Sequence, residues 1–104
     1  MSPKDQRRGE GLVVAGAAEW SVYLVRCSDG SLYTGITKDV GRRVDQHNAG
    51  KGAAYTRSRR PVQLAHRQNM FTRSQALIRE AAIKRLPRSK KEELIRFKRS
   101  SRRK

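Results

Sequence analysis

"WSVYLVRCSDGSLYTGIT", residues 20–37, decides the fold. Its first part sets Trp20, Val22 and Leu24 against Ser21, Tyr23 and Val25, with β-branched and aromatic residues throughout. That alternation reads as a strand. "SDGS" is a turn signal around Asp29 and Gly30. "LYTGIT" is then the second strand of a hairpin. The same stretch raises a functional question. A strongly basic chain sets Tyr33, Thr34 and Gly35 between apolar neighbours, with Arg43 and then His47 downstream.

Register links the two questions. A two-residue Asp29-Gly30 turn would oppose Tyr23 to Ile36 and Tyr33 to Arg26, with the phenols on opposite faces. A site shared by both tyrosines demands an odd-length loop or a bulge. With Asp29, Gly30 and Ser31 in the loop, Tyr33 opposes Cys27 and the shared face returns. That irregularity is predicted. Gly35 would then leave room above the strand for a backbone or a phosphate.

Outward from the hairpin, "KDVGRRVDQHNAG" reads as a helix, with Thr37 or Asp39 as cap and Asn48 to Gly50 at its end. Val40, Arg43, Val44 and His47 share one face. Residues 50–61 form a Gly- and Arg-rich loop closed by Pro61. "VQLAHRQ", from Val62, is a short strand candidate. "TRSQALIREAAIKRL" is the best helix in the chain, capped by Thr72 or Ser74 and broken at Pro87. "RSKKEELIRF" is a last helix, with Ser89 and Glu92 in capping-box spacing. The expected fold is α+β, a small three-stranded, mainly antiparallel sheet flanked by three helices in the order β-β-α-β-α-α. Residues 1–18 are expected to be a flexible lead, 19–97 the domain, and 98–104 a basic, disordered tail.

The chain has 104 residues, enough for one domain with a modest core. Its net charge of +16 favours a polyanionic partner and leaves DNA, RNA and acidic membrane surfaces open. Cys27 is the single cysteine, so an internal disulfide and a cysteine-rich zinc framework are both excluded. His47 and His66 do not make a zinc site with it at any usual spacing. A reducing, intracellular setting follows. "LVVAGAA" after Lys4, Arg7 and Arg8 loosely imitates a signal peptide, but Asp5 and Glu10 interrupt the basic stretch and the apolar run is short. No run approaches the roughly 20 apolar residues of a membrane span.

Tyr23 in the first strand and Tyr33-Thr34-Gly35 in the second resemble the paired motifs of the GIY-YIG nuclease superfamily. The resemblance extends from residue 20 to about residue 96. "YTGIT", "RRVDQHNAGKGAAYT" and "REAAIKRL" look like the small stand-alone bacterial members. The family's helix arginine falls on Arg43, its following polar residue on His47 and its metal-binding glutamate on Glu80. Ser21 stands where the first motif has glycine. The resemblance implies phosphodiester hydrolysis with one divalent ion, Mg²⁺ or Mn²⁺. One tyrosine would help activate the water, the arginine would stabilise charge on phosphorus, and the glutamate would hold the metal. The bacterial cytosol or nucleoid is the expected location, and a monomer the expected state.

The residues support this chemistry on their own terms. Glu80 is the only acid between Asp45 and Glu92, and it lies on or beside the apolar stripe of its helix. A lone carboxylate there needs a cation: a lysine, an arginine or a metal. A single carboxylate with waters and substrate phosphate suits Mg²⁺ or Mn²⁺. Arg43 offers a planar fork matched to phosphate oxygens. His47 is either a hydrogen-bonded histidine at a helix end, a base for the water, or an orienter of a phenol. A phenol is a poor base at neutral pH unless a cation helps it; Tyr23 is the choice for base. Lys51, Arg57, Arg59 and Arg60 would track a sugar-phosphate backbone, and Tyr55 would stack on a base. The expected function is a metal-dependent DNA nuclease directed to branched, nicked or single-stranded regions. The alternatives are a non-catalytic nucleic-acid-binding protein with an idle site and a basic, RNA-associated protein.

Overall fold

The computed structural model describes residues 18–102, and their side chains as far as residue 97. The segment read as an N-terminal lead, apart from Ala18, and residues 103–104 lie outside the described residues. Strand β1 (Trp20–Arg26) is the middle of a three-stranded antiparallel sheet, between β2 (Leu32–Thr37) and β3 (Gln63–Phe71). The helices are α1 (Val40–Asn48), α2 (Ala54–Arg57), α3 (Arg73–Lys84) and α4 (Arg88–Arg102). This is the expected α+β order, with the single helical turn α2 added inside the Gly- and Arg-rich loop.

The hairpin closes on an odd loop. Cys27 N donates to Ser31 O at 2.8 Å, and Gly30 N donates to Cys27 O at 2.9 Å. Gly30 has φ +87°, the left-handed residue that a three-residue hairpin loop requires at its end. Residues 28–30 therefore make the turn, one position earlier than expected. Tyr33 opposes Val25 rather than Cys27, and Tyr23 opposes Gly35. Parity is what the site needs, and parity is preserved: both phenols belong to the same face.

The two faces of β1 feed two cores. Tyr23, Val25 and Cys27 pack with Val40 of α1 and with Val62. Val22 and Leu24 pack with Ala76 and Ile83 of α3. Strand β1 is consequently buried on both sides, with Val22, Leu24 and Val25 fully enclosed. Burying each such aliphatic side chain contributes about 1.5–3 kcal/mol.

Helix ends follow local chemistry. Asp39 caps α1, its Oδ1 accepting from Arg42 N at 3.1 Å, and Gly50 takes φ +81° beyond the end. Thr72 and Gln75 form a reciprocal capping box on α3. Three expectations change. Strand β3 runs to Phe71, beyond the short segment read from sequence. Two register irregularities against β1 and a left-handed Met70 (φ +75°) accommodate its polar second half, where Ser21 Oγ donates to Asn69 Oδ1 at 2.8 Å. Helix α4 continues to Arg102, past Phe97, because residues 98–102 contain neither proline nor glycine. Ser89 does not cap α4; it lies inside the helix, and Glu92 turns to β1 instead.

Glu92 takes a two-pronged ion pair from Arg26, Nη1 to Oε2 and Nη2 to Oε1, both at 2.8 Å. Arg88 Nη2 adds a contact at 3.1 Å. The Arg26 hydrogen bonds lower the Glu92 carboxyl from 4.5 to about 2, against the opposing effect of burial, with Arg88 helping. The folded-state value is depressed, so the contribution is complete above pH 4.5 and fades as pH falls towards 2. Glu92→Gln is expected to cost about 1 kcal/mol at pH 7, a figure discounted for solvent screening. It should also flatten the loss of urea resistance between pH 5 and about pH 2. An unchanged acid limb in urea melts would show that this pair does not tie α4 to the sheet.

Candidate active site

Tyr23 reaches the site because its partner across β2 has no side chain. Its ring lies over Gly35, where an added Cβ would meet Tyr23 Oη at 2.6 Å and Cζ at 2.8 Å. The space over Gly35, expected to admit a phosphate, holds this phenol instead. Alanine there would collide with a ring that is itself enclosed, so either the ring or the strand would have to shift.

Helix α1 brings two partners to the phenol. Tyr23 Oη and His47 Nε2 are 2.8 Å apart, and both side chains are essentially inaccessible. One turn earlier, Arg43 is half-buried beside the phenol, with its Nη1 donating to Gln46 Oε1 at 3.0 Å. Burial pushes the Tyr23 phenol up to about 12; Arg43 opposes this, while Tyr33 and Glu80 add to it. A group held so firmly protonated is a hydrogen-bond donor at neutral pH, not a ready base. The choice of Tyr23 as base therefore meets an environment that works against it. Burial, with help from Arg43, lowers His47 from its ordinary value, so its imidazole is neutral at pH 7.

Tyr33 is half-buried on the same face. Its ring packs edge-on against His47, with centroids 5.4 Å apart, and stacks on Tyr55 at 5.9 Å. Among the described residues, none hydrogen-bonds its hydroxyl. Tyr55 is itself covered by the Arg59 guanidinium, 3.9 Å from the ring centroid. Arg59 is anchored to Asp29 at 3.1 Å and to Tyr55 O at 2.8 Å. Arg60 binds the carbonyls of Arg57 (2.9 Å) and Asn48 (3.4 Å). Of the four basic loop residues expected to contact phosphate, two thus brace the loop. Lys51 and Arg57 are exposed and form no ion pair among the described residues.

Glu80 comes from α3, which packs on the other core, and its charge is the smallest of the named influences that raise the Tyr23 phenol. Its side chain is 18% exposed, and its Oε2 lies 3.3 Å from Nζ of the exposed Lys84. The cation paired with it is an exposed lysine one turn away, not a buried arginine. Among the described residues no group of three His, Cys, Asp or Glu is disposed to hold a metal. A lone, accessible carboxylate fits a hydrated Mg²⁺ or Mn²⁺ completed by water and substrate oxygens, and does not fit a protein-only cage.

Tyr23, Tyr33, Arg43 and His47 thus meet in one cluster built from β1, β2 and α1, while Glu80 stands on α3 and is paired to Lys84. A match to the GIY-YIG catalytic domain spans residues 19–93, from the start of β1 into α4. The chain belongs to the GIY-YIG family. Among its relatives, the UPF0213 protein of Haloquadratum walsbyi is 62% identical over 73 residues, covering 70% of this chain and 82% of the relative. That of Staphylococcus aureus strain Mu50 is 57% identical over 74 residues, covering 71% and 90%. Solution structures agree: the UPF0213 protein of Bacillus halodurans has a TM-score of 0.50 at 44% identity, covering 76% of this chain and 84% of that one. A protein of E. faecalis has a TM-score of 0.51 at 42% identity, covering 74% and 82%.

The GIY-YIG core contains two residues that motif reading missed. Thr56, fully buried in α2, has its Oγ1 2.7 Å from His47 Nδ1. Gly52 lies so close that any Cβ there would overlap the His47 ring at Nδ1. The sequence signal for both was weak, a threonine and a glycine inside a loop rich in small and basic residues. No helix among the described residues is long and apolar enough to cross a membrane.

Proposed function

We propose that this GIY-YIG domain hydrolyses phosphodiester bonds in DNA, with Glu80 as the protein ligand of one Mg²⁺ or Mn²⁺. The observation that supports this reading is the meeting of a buried phenol, a neutral imidazole and a guanidinium at Tyr23, with the Tyr33 ring against the same imidazole. A bound divalent ion would supply positive charge to the phosphoryl oxygens and to the leaving oxygen.

The chain's own groups divide the remaining work. Arg43 presents a fork to the phosphate and opposes the charge that grows on it. Tyr33, with its hydroxyl uncommitted, is the group placed to hold the attacking water. Tyr23 and His47 form the floor, a hydrogen-bonded pair that fixes Arg43 from beneath. Lys51 and Arg57 contact sugar-phosphate backbone without reading bases, which favours recognition of branched, nicked or single-stranded regions over sequence. One copy of the chain carries all five groups, so a single protomer suffices. The location this function implies is the cytosol or nucleoid.

The test incubates purified protein with branched, nicked, single-stranded and duplex DNA, with Mg²⁺, with Mn²⁺ and with excess chelator. Cleavage that requires the ion and favours interrupted or unpaired DNA is expected. DNA binding without cleavage under every condition would leave a nucleic-acid-binding protein with an idle site.

A further inference from the structure

Thr56 is buried completely against the one histidine of the site. Its role follows from counting protons. The Arg43 guanidinium only donates, so beside the Tyr23 oxygen it offers no acceptor to the phenol proton. The Tyr23 proton then needs an acceptor, and His47 Nε2 is 2.8 Å away. An accepting Nε2 leaves the neutral ring's proton on Nδ1. That proton needs an acceptor of its own, and Thr56 Oγ1 lies at 2.7 Å. Thr56 passes its hydroxyl proton on to Ala53 O at 3.0 Å. Every donor in this row finds one acceptor, from phenol to imidazole to hydroxyl to carbonyl. Reversing the row would leave the phenol proton facing the guanidinium. Gly52 presses on the ring beside Nδ1, so the loop leaves Thr56 in sole possession of that nitrogen.

We propose that Thr56 is a positioning residue that fixes His47 as the Nδ1–H tautomer, so that Nε2 accepts from Tyr23 and holds the phenol against Arg43. Thr56, four residues beyond Gly52, thereby acts on the arginine from three contacts away. This deepens the hydrolytic reading and rests on it only for the kinetic readout.

The experiment reads the ring directly in the resting protein. Long-range proton–nitrogen NMR of ¹⁵N-histidine protein should give His47 a pyrrole-like Nδ1 and a pyridine-like Nε2. Thr56→Val keeps the shape and removes the acceptor; it should move the proton to Nε2 in a large fraction of molecules. DNA cleavage should fall with it by about 10- to 100-fold, as for lost orienting partners of other site histidines. Thr56→Ser should restore both the ring pattern and cleavage. A wild-type ring protonated on Nε2 overturns the proposal, and so does a Thr56→Val ring that keeps the wild-type pattern. If Thr56→Val fails to fold, the wild-type and Thr56→Ser spectra decide by the same criterion. Wild-type protein that cleaves no DNA defeats the hydrolytic reading, while the spectra still decide what sets the tautomer.

Discussion

Glu80→Ala is expected to abolish cleavage, by on the order of 10³-fold or more, the scale at which fixed charge acts on phosphoryl transfer. DNA affinity in metal-free buffer should stay the same or rise. The reason is electrostatic. The variant removes a negative charge from a cleft meant for phosphate and frees Lys84, its partner at 3.3 Å, to contact the nucleic acid. Stability should change little, because the carboxylate is paired only to an exposed lysine and no buried partner is stranded. Filter-binding and cleavage assays on the same preparation separate the two effects. Equal cleavage by wild type and variant would place the activity elsewhere or in a contaminant.

Arg43→Lys is the second large effect. The charge survives and the fork does not. Cleavage should fall by about 10²- to 10³-fold, the loss typical for one preorganised donor aimed at developing charge. The salt dependence of DNA binding should stay unchanged, since that slope counts charges and not their shape. The shorter reach of an ammonium would also lose the Gln46 contact at 3.0 Å and part of the grip on Tyr23. A lysine variant with more than a tenth of wild-type activity would show that charge alone is enough at this position.

The hairpin, the α1 face and the lone acid of α3 were legible because each rests on a short-range rule. Alternation named β1 and β2, helical spacing aligned Arg43 with His47, and the scarcity of acids singled out Glu80. The loop was misplaced by one residue because Ser28-Asp29-Gly30 and Asp29-Gly30-Ser31 are equally good turns by composition. Only the position that takes a positive φ, Gly30 at the loop's end, chooses between them. Strand β3 was shortened because Asn69 and Met70 look like a loop until Ser21 is seen bonding Asn69 across the sheet. Thr56, Gly52 and the bracing of Arg59 and Arg60 were beyond reach, since each depends on where the loop comes to rest against α1 or the hairpin turn. The protonation of Tyr23 was hidden for the same reason: burial, not motif, sets it.

The middle strand has no idle side, and this shapes how such a chain drifts over generations. Val22 and Leu24 answer only to the fit of aliphatic shapes against α3, so exchanges among similar hydrocarbons there trade firmness by small steps. Tyr23, between them, answers at once to the opposite packing and to the chemistry. Tinkering is open where a position answers to packing alone and closed at Tyr23, which answers to both.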